Sequence, residues 1–261
     1  MSPKCGDLSP KLIPEKGTTS RHKKLRAIFF DIDDTLYSTS EFARTARLNS
    51  IRAMIEAGLK VKEEECFHEL SEVIEEFGSN FEHHYDKLLV RLPPETYRGV
   101  NPAIIIAAGM VAYHETKCRD LKPYPEVEGV LQILAQKRLV LGIITAGLEI
   151  KQAEKLIRLK LLPYIHKSAI FITGQMGIGK QNPKLYQTAC DSLGIPPNFC
   201  MYVGDNPVTD IDLPNQLGMI TVLNRRSGKY LNIVGQTKPR YIIHEMRQLL
   251  GILEQDFNLT I

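Results

Sequence analysis

Residues 27–39 read AIFFDIDDTLYST. Four apolar residues run without a polar interruption, as a strand buried on both faces of a parallel sheet does. The run then ends on Asp31, Asp33 and Asp34, three carboxylates within four positions. Two unit charges about 4 Å apart repel by roughly 4 kcal/mol at an effective dielectric near 20. An acidic cluster where a buried strand ends therefore asks for a compensating cation. In open parallel sheets that place, beyond the carboxyl ends of the strands, is where ligands bind.

Working outward, further apolar runs alternate with helical patterns, which predicts βαβ units. The predicted strands are Ala27–Phe30, Leu139–Ile144, Ala169–Ile172, Cys200–Val203, Met219–Leu223 and Tyr241–Ile243. No comparable run falls between Thr35 and Leu139. That interval holds four segments of helical periodicity, punctuated by Gly58, Gly78, Pro93-Pro94 and Asn101-Pro102. The expected fold is α/β: a Rossmann-like parallel sheet over residues 25–38 and 121–261, with a helical bundle inserted over 39–120. Residues 1–24, rich in Pro, Ser, Lys and Gly, read as a disordered basic tail.

The bulk numbers fit this picture. The chain has 261 residues, 43% hydrophobic and 24% charged, as one large domain or a core with an insertion requires. Its net charge of +3 resides in the tail, where six Lys/Arg face two acidic residues, so the remainder is close to neutral. A nucleic-acid partner is not expected on that balance. No run of 18 apolar residues suggests a membrane span, and no apolar leader follows the first residues. Five cysteines without a CxxC pair disfavour disulfides and zinc fingers and fit a reducing cytoplasm.

The loops after the strands bring candidate groups to one sheet edge. Asp31 and Asp33 follow the first strand, Thr145-Ala146-Gly147 the second, a loop with Lys180 the third, and Gly204-Asp205 with Asp210 the fourth. Asp31 and Asp205 suit a hard, oxygen-seeking cation such as Mg²⁺. Thr145 and Lys180 offer a hydroxyl donor and a fixed positive charge to a phosphate. A carboxylate beside such a metal can attack phosphorus, and Asp33 is placed in sequence to handle the proton.

In their order, Asp31-x-Asp33-x-Thr35, Thr145, Lys180 and Gly204-Asp205-(x4)-Asp210 resemble the four motifs of the haloacid dehalogenase superfamily. The inserted helices resemble the C1 cap of its subfamily I, and the segments GSNFEHHYDKLL and GIITAG resemble a branch of capped phosphatases. The resemblance implies Asp31 as nucleophile and Asp33 as general acid/base. It implies Mg²⁺ held by Asp31, the main-chain carbonyl of Asp33 and Asp205, with Asp210 binding through water or orienting Lys180. Thr145 and Lys180 would hold the phosphoryl group, with Ala146 and Gly147 in the same loop. Three positions depart from the family pattern: Ala146 stands where many members carry Asn or Asp, Gln181 where Pro usually follows the lysine, and Pro214 interrupts the helix after the fourth motif.

Each group also has a plainer reading. The acidic cluster could cap the following helix, and Thr145 could cap the helix after Gly147. An EF-hand does not fit, for want of a D-x-[DN]-x-[DN]-G run. The stretch GQMGIGKQ, residues 174–181, nearly matches a nucleotide-binding GxxxxGK[ST] loop, but Gln181 replaces the Mg²⁺-binding hydroxyl. Asn182-Pro183 should start a helix, which leaves Lys180 in the loop and Lys184 on the helix surface. In the inserted helices, Asn80, His83, His84, Tyr85 and Arg91 are candidate substrate contacts, of which Asn80 and His84 are favoured. The resulting expectation is a Mg²⁺-dependent phosphatase, monomer or homodimer, acting on a small phosphorylated metabolite. Its rivals are a phosphoryl transferase (mutase) on the same scaffold, a dehalogenase, disfavoured because a halide leaving group does not need the proton that Asp33 would give, and a catalytically weak metal-dependent binding module.

Overall fold

The computed structural model describes residues 24–226 and 228–261, together with the backbone of Lys11 and Leu12. The chain divides into two compact units, one made of the described residues up to Ser40 with Lys122–Ile261, the other of Glu41–Leu121.

The first unit is built on one sheet. Its strands are β1 (Lys11–Leu12), β2 (Ala27–Phe30), β3 (Val140–Thr145), β4 (Ile170–Ile172), β5 (Cys200–Gly204), β6 (Ile220–Asn224) and β7 (Tyr241–Ile243). They lie in the order β1-β7-β6-β5-β2-β3-β4. All pairings from β7 across to β4 are parallel, and only β1 runs antiparallel, against β7. The six long-range strands are those read from the sequence, displaced by at most one residue at either end. The tail assignment over residues 1–24 falls almost wholly outside the described residues. Within it, Lys11 and Leu12 pair with Ile242 and Tyr241, an edge contact that the composition of the tail does not signal.

The order of strands explains the site. β2 is central, flanked by β3 and β5, with Phe30 opposite both Ile143 and Val203. The loops leaving β2, β3 and β5 therefore emerge side by side, and the loop leaving β4 follows next to β3. All four residues of β2 are fully buried, as are those of β5 and β6. Ala27 and Phe29 of β2 and Cys200 and Tyr202 of β5 share a core cluster with α8 (Lys184–Ser192), in which Phe29 meets Phe171 of β4 edge-on with ring centroids 6.2 Å apart. Burying an aromatic side chain of this kind is worth about 1.5–3 kcal/mol, so the strand ends that carry the site are rigidly backed.

Four α-helices span the insertion: α1 (Thr39–Glu56), α2 (Glu63–Phe77), α3 (His84–Arg91) and α4 (Pro102–Asp120). Pro102 opens α4 at a position where its missing N–H costs nothing, and the Asn101 side chain accepts from the Ala103 amide at 3.0 Å. The core of this unit is apolar, from Ile51 and Met54 on α1 through Leu70, Leu88 and Ile105. Among the described residues no helix is long and apolar enough to cross a membrane.

Candidate active site

The residues just past β2 take three different directions. The Asp31 amide donates to the Val203 carbonyl at 2.9 Å, which extends the ladder by one bond and fixes Asp31 against the end of β5. Asp31 is buried, and its Oδ1 lies 2.9 Å from Lys180 Nζ. Asp33 turns towards the helix after β3. Asp34, in a left-handed conformation (φ 51°), turns back on the chain. Its Oδ1 accepts from the Thr39 and Ser40 amides at 2.9 and 3.3 Å, which caps α1. The capping role foreseen for an acidic residue in this cluster thus falls to Asp34 alone.

Asp205 and Asp210 come from the turn after β5. Gly204 has no side chain because none fits: a Cβ there would lie 2.2 Å from Asp210 Oδ2. Residues Pro207–Asp212 form a π-helical turn that returns Asp210 to the strand end, with Asn206 as its cap. Asp210 Oδ2 accepts from the Asn206 amide at 3.0 Å, while Oδ1 accepts from Thr209 Oγ1 at 3.0 Å and pairs with Lys180 Nζ at 2.8 Å. Asp210 is thus held by an amide and a hydroxyl while it pairs with Lys180. Pro214, expected to interrupt the helix beyond, stands in the short α9 (Leu213–Gln216) that follows the π-turn directly.

Asp31, Asp205 and Asp210 each offer a carboxylate oxygen, and these oxygens lie within 4.8 Å of one another. Three carboxylates face one ammonium, so the fully ionised cluster carries a charge of −2. Burial, added to by the charges of Asp210 and Asp31, pushes the Asp205 carboxyl up to about 8. Burial likewise lifts Asp31 to about 6, against the pull of Lys180. Burial opposes the charge on Lys180, yet Asp210 and Asp31 hold its ammonium well above the ordinary range. Asp205 Oδ2 is buried without a hydrogen-bond partner. Oxygen donors, a residual −2 charge and an orphaned carboxylate oxygen fit a hard divalent cation.

The phosphate-binding candidates are equally placed by the strand ends. Thr145 closes β3, fully buried, and its Oγ1 has no partner. It does not cap the helix after Gly147, because the cap position of α6 (Glu149–Arg158) is Leu148. Gly147 has φ 140°, and its amide donates to Thr173 Oγ1 at 2.9 Å, tying together the loops after β3 and β4. Ala146 contributes its carbonyl, which accepts from Gln152 Nε2 at 2.7 Å. After β4, α7 (Thr173–Met176) is a single turn ended by Gly177 in a left-handed conformation, so residues 174–181 do not form the cradle of a nucleotide-binding loop. Lys180 is buried and lies 5.6 Å from the Tyr202 ring centre, whereas Lys184 is exposed. Gln181 points to solvent, and Lys180 reaches Asp31 without the usual proline behind it.

Asp33 has a different set of partners. Its Oδ1 accepts from the Tyr37 hydroxyl at 2.7 Å and Thr39 Oγ1 at 2.9 Å. Lys155 Nζ lies 2.6 and 2.8 Å from its two oxygens, and Gln152 Nε2 lies 3.2 Å from Oδ2. Burial alone would raise Asp33, but Lys155 and the hydroxyl donors hold it below the ordinary carboxylate value. Neither Lys155 nor Gln152 was legible as a site residue. The available signal was Gln152 itself, a glutamine on the same buried stripe of α6 as Leu156.

The residues singled out in the insertion are described within that unit. Asn80 is exposed, and His84 Nε2 lies 2.9 Å from the Gly78 carbonyl. Tyr85 donates to Ser50 Oγ at 2.8 Å, and Arg91 pairs with Glu69 at 3.2 Å and with Glu76. Tyr85 and Arg91 therefore act in holding α3 to α1 and α2.

Comparison with known proteins agrees with this geometry. A family model described as haloacid dehalogenase-like hydrolase matches residues 25–218. The chain is 43% identical to a glyceraldehyde 3-phosphate phosphatase of Methanopyrus kandleri over 237 residues, covering 88% of this chain and 98% of the relative. It is 38% identical to the protein of the same name from Pyrococcus furiosus, covering 90% and 95% of the two chains. A solved HAD phosphatase from Thermococcus onnurineus shares the fold, with a TM-score of 0.61 at 21% identity over 88% of this chain and 98% of its own.

Proposed function

Because the chain belongs to the haloacid dehalogenase-like hydrolases, we propose that it is a Mg²⁺-dependent phosphatase that hydrolyses a small phosphomonoester through Asp31. The observation that carries this reading is the buried cluster in which Lys180 bridges Asp31 and Asp210 beside Asp205. The near-complete coverage of glyceraldehyde 3-phosphate phosphatases at 43% and 38% identity supports that triose phosphate as the substrate.

In this reading Asp31, Asp205 and the main-chain carbonyl of Asp33 hold the cation, and Asp210 orients Lys180. Bound Mg²⁺ supplies Lewis-acid polarisation of the phosphoryl oxygens and offsets the negative charge of the carboxylates. Thr145 Oγ1 and Lys180 Nζ bind the remaining phosphoryl oxygens. An Asp31 oxygen forms a bond to phosphorus while the ester P–O bond breaks, and Asp33, in the protonated form that its Lys155 ion pair disfavours in the free protein, delivers its proton to the departing alkoxide. Asp33, now a carboxylate, takes a proton from water as the water oxygen attacks the aspartyl-phosphate. The bond to Asp31 then breaks, releasing inorganic phosphate. The amide of Gly147, already committed to Thr173, stiffens the loop that presents Thr145.

The test is phosphate release from glyceraldehyde 3-phosphate beside a panel of phosphorylated metabolites, with and without Mg²⁺. Release should depend on the metal, be abolished by EDTA and disappear in Asp31→Asn. Turnover near wild type in Asp31→Asn would remove the nucleophile assignment. A panel member turned over with a higher kcat/KM would replace the triose phosphate and leave the chemistry intact.

A further inference from the structure

The partners of Asp33 come from one helix face. Lys155 and Gln152 stand three residues apart on α6, a spacing that places side chains on neighbouring positions of the helix surface. Lys155 reaches both carboxylate oxygens of Asp33, at 2.6 and 2.8 Å, and so fixes the plane of the group as well as its position. The Gln152 amide nitrogen is shared between Asp33 Oδ2 at 3.2 Å and the Ala146 carbonyl at 2.7 Å. Gln152 is buried, and the chain makes room for it: a Cβ on Gly147 would sit 2.6 Å from its Nε2. Its amide thus joins the Asp33 side chain to the loop that carries Thr145.

We infer that Lys155 and Gln152 are positioning residues that lock the proton-handling carboxylate of Asp33 to the phosphoryl-binding loop, so that both keep one geometry through the two half-reactions. This rests on the acid/base role proposed for Asp33. Two features support it. First, three of the five contacts to Asp33 come from residues more than 100 positions downstream, so the orientation is a tertiary property and not a consequence of the local turn. Second, Ala146 carries no polar side chain of its own, and the contact from that loop to Asp33 runs through the Gln152 amide instead. A proton-transfer group must lie within hydrogen-bond reach of the reacting oxygen, and small misplacements are costly in rate. Lys155 pairs with Asp33, whereas Asp31 and Asp210 pair with Lys180, so its removal spares the phosphoryl-binding charges.

The experiment compares two substrates whose leaving groups make different demands. The 4-nitrophenolate ion departs from an aryl phosphate without needing a proton, whereas an alkoxide departing from an alkyl phosphate needs one. With the full chain and saturating Mg²⁺, Lys155→Met should lower kcat/KM on the alkyl phosphate, which reports the steps up to departure of the leaving group, by ~10–100-fold, a part of the 10²–10⁴-fold typical of general acid–base catalysis. It should change kcat/KM on 4-nitrophenyl phosphate by less than about 3-fold, because the later hydrolysis of the aspartyl-phosphate, common to both substrates, does not enter that ratio. Gln152→Ala should show the same selectivity with a smaller loss, and Lys155→Arg should recover part of the alkyl-phosphate rate. Lys155 is a partly exposed residue on a helix, and thermal melts of Lys155→Met and Lys155→Gln identify any variant that loses the fold. Asp33→Asn is the reference. If Asp33→Asn discriminates between the leaving groups and Lys155→Met does not, the positioning role is wrong and the acid/base reading stands. If Asp33→Asn lowers kcat/KM equally on both substrates, the acid/base reading fails and takes this inference with it. Equal losses of kcat/KM on both substrates in Lys155→Met would likewise overturn the proposal.

Discussion

The charge balance at the strand ends makes a quantitative prediction about pH and metal. In the metal-free protein two carboxyls are lifted, Asp205 to about 8 and Asp31 to about 6, from an ordinary 3.8. A carboxyl raised in the folded state binds its proton more tightly there than in the unfolded chain. Between the unfolded and folded values the native state therefore holds more protons, and stability falls as pH rises. For Asp205 alone the ceiling on this loss is about 6 kcal/mol between about pH 4 and pH 8, and the coupling of Asp31 to the same charges prevents simple addition. Asp33 is shifted the other way, and its contribution is already complete above the unfolded value, so it leaves this window flat. Mg²⁺ requires the ionised forms and must displace the protons. It should release about one proton per ion near pH 7, where Asp205 is mostly protonated and Asp31 mostly ionised. The number should approach about two near pH 5 and fall to near zero above about pH 9. Calorimetric titration of Mg²⁺ into the EDTA-stripped protein, in buffers of different ionisation enthalpy, reads this number directly. Urea denaturation over the same range should show metal-free stability declining from about pH 5 to pH 8, with added Mg²⁺ restoring about 2.7 kcal/mol at 100 times its Kd. Metal binding without proton release at neutral pH, or metal-free stability that rises from about pH 6 to pH 8, would refute the reasoning.

Four substitutions separate roles that neighbouring residues could share. Lys180→Ala should abolish turnover and destabilise the metal-free protein by about 3–5 kcal/mol, because it leaves Asp31 and Asp210 buried and unpaired. Lys184→Ala, at an exposed position, should leave kcat within about 2-fold and stability within ±0.5 kcal/mol; the reverse order in phosphate-release assays would reassign the lysine. Thr145→Val should lower kcat/KM by ~10–100-fold while costing no stability in a urea melt, because the Oγ1 it removes has no hydrogen-bond partner. Asp34→Ala should cost about 1 kcal/mol of stability through the lost cap of α1 and reduce kcat far less than Asp33→Asn; equal losses of kcat would show that Asp34 shares the chemistry.

The reach of the sequence had a physical boundary. Strands buried on both faces announce themselves as apolar runs, and their loops must gather at one sheet edge, so the sequence alone assigns Asp31, Thr145, Lys180 and Asp205 to that edge. Side-chain partners chosen by tertiary packing carry no such signature. Lys155 lies in the last turn of a polar-looking helix, where a lysine ordinarily faces water and favours the carbonyl end. Nothing local distinguishes it from Lys151 or Arg158. Gln152 is detectable only as a polar residue on the buried stripe, and its meaning appears once β3 stands beside β2. The substrate contacts assigned to Asn80 and His84 rest on helix orientation in the same way, and periodicity alone does not supply it.

The crowding of carboxylates after β2 is resolved differently for each residue, and this narrows the case for a cation. Asp34 is met by two backbone amides at the start of α1, and Asp33 by Lys155 and two hydroxyls. Neither needs a metal to account for its burial. The unmet charge belongs to Asp31 together with Asp205 and Asp210, of which only part is neutralised by Lys180. The strongest argument for a divalent ion is therefore not the sequence cluster itself but the convergence of Asp31 with two carboxylates some 170 residues away. Asp31→Asn and Asp205→Asn should each weaken Mg²⁺ binding in the titration above, whereas Asp34→Asn should leave it unchanged. Loss of Mg²⁺ binding in Asp34→Asn would return the cation to the local cluster and break the division of roles.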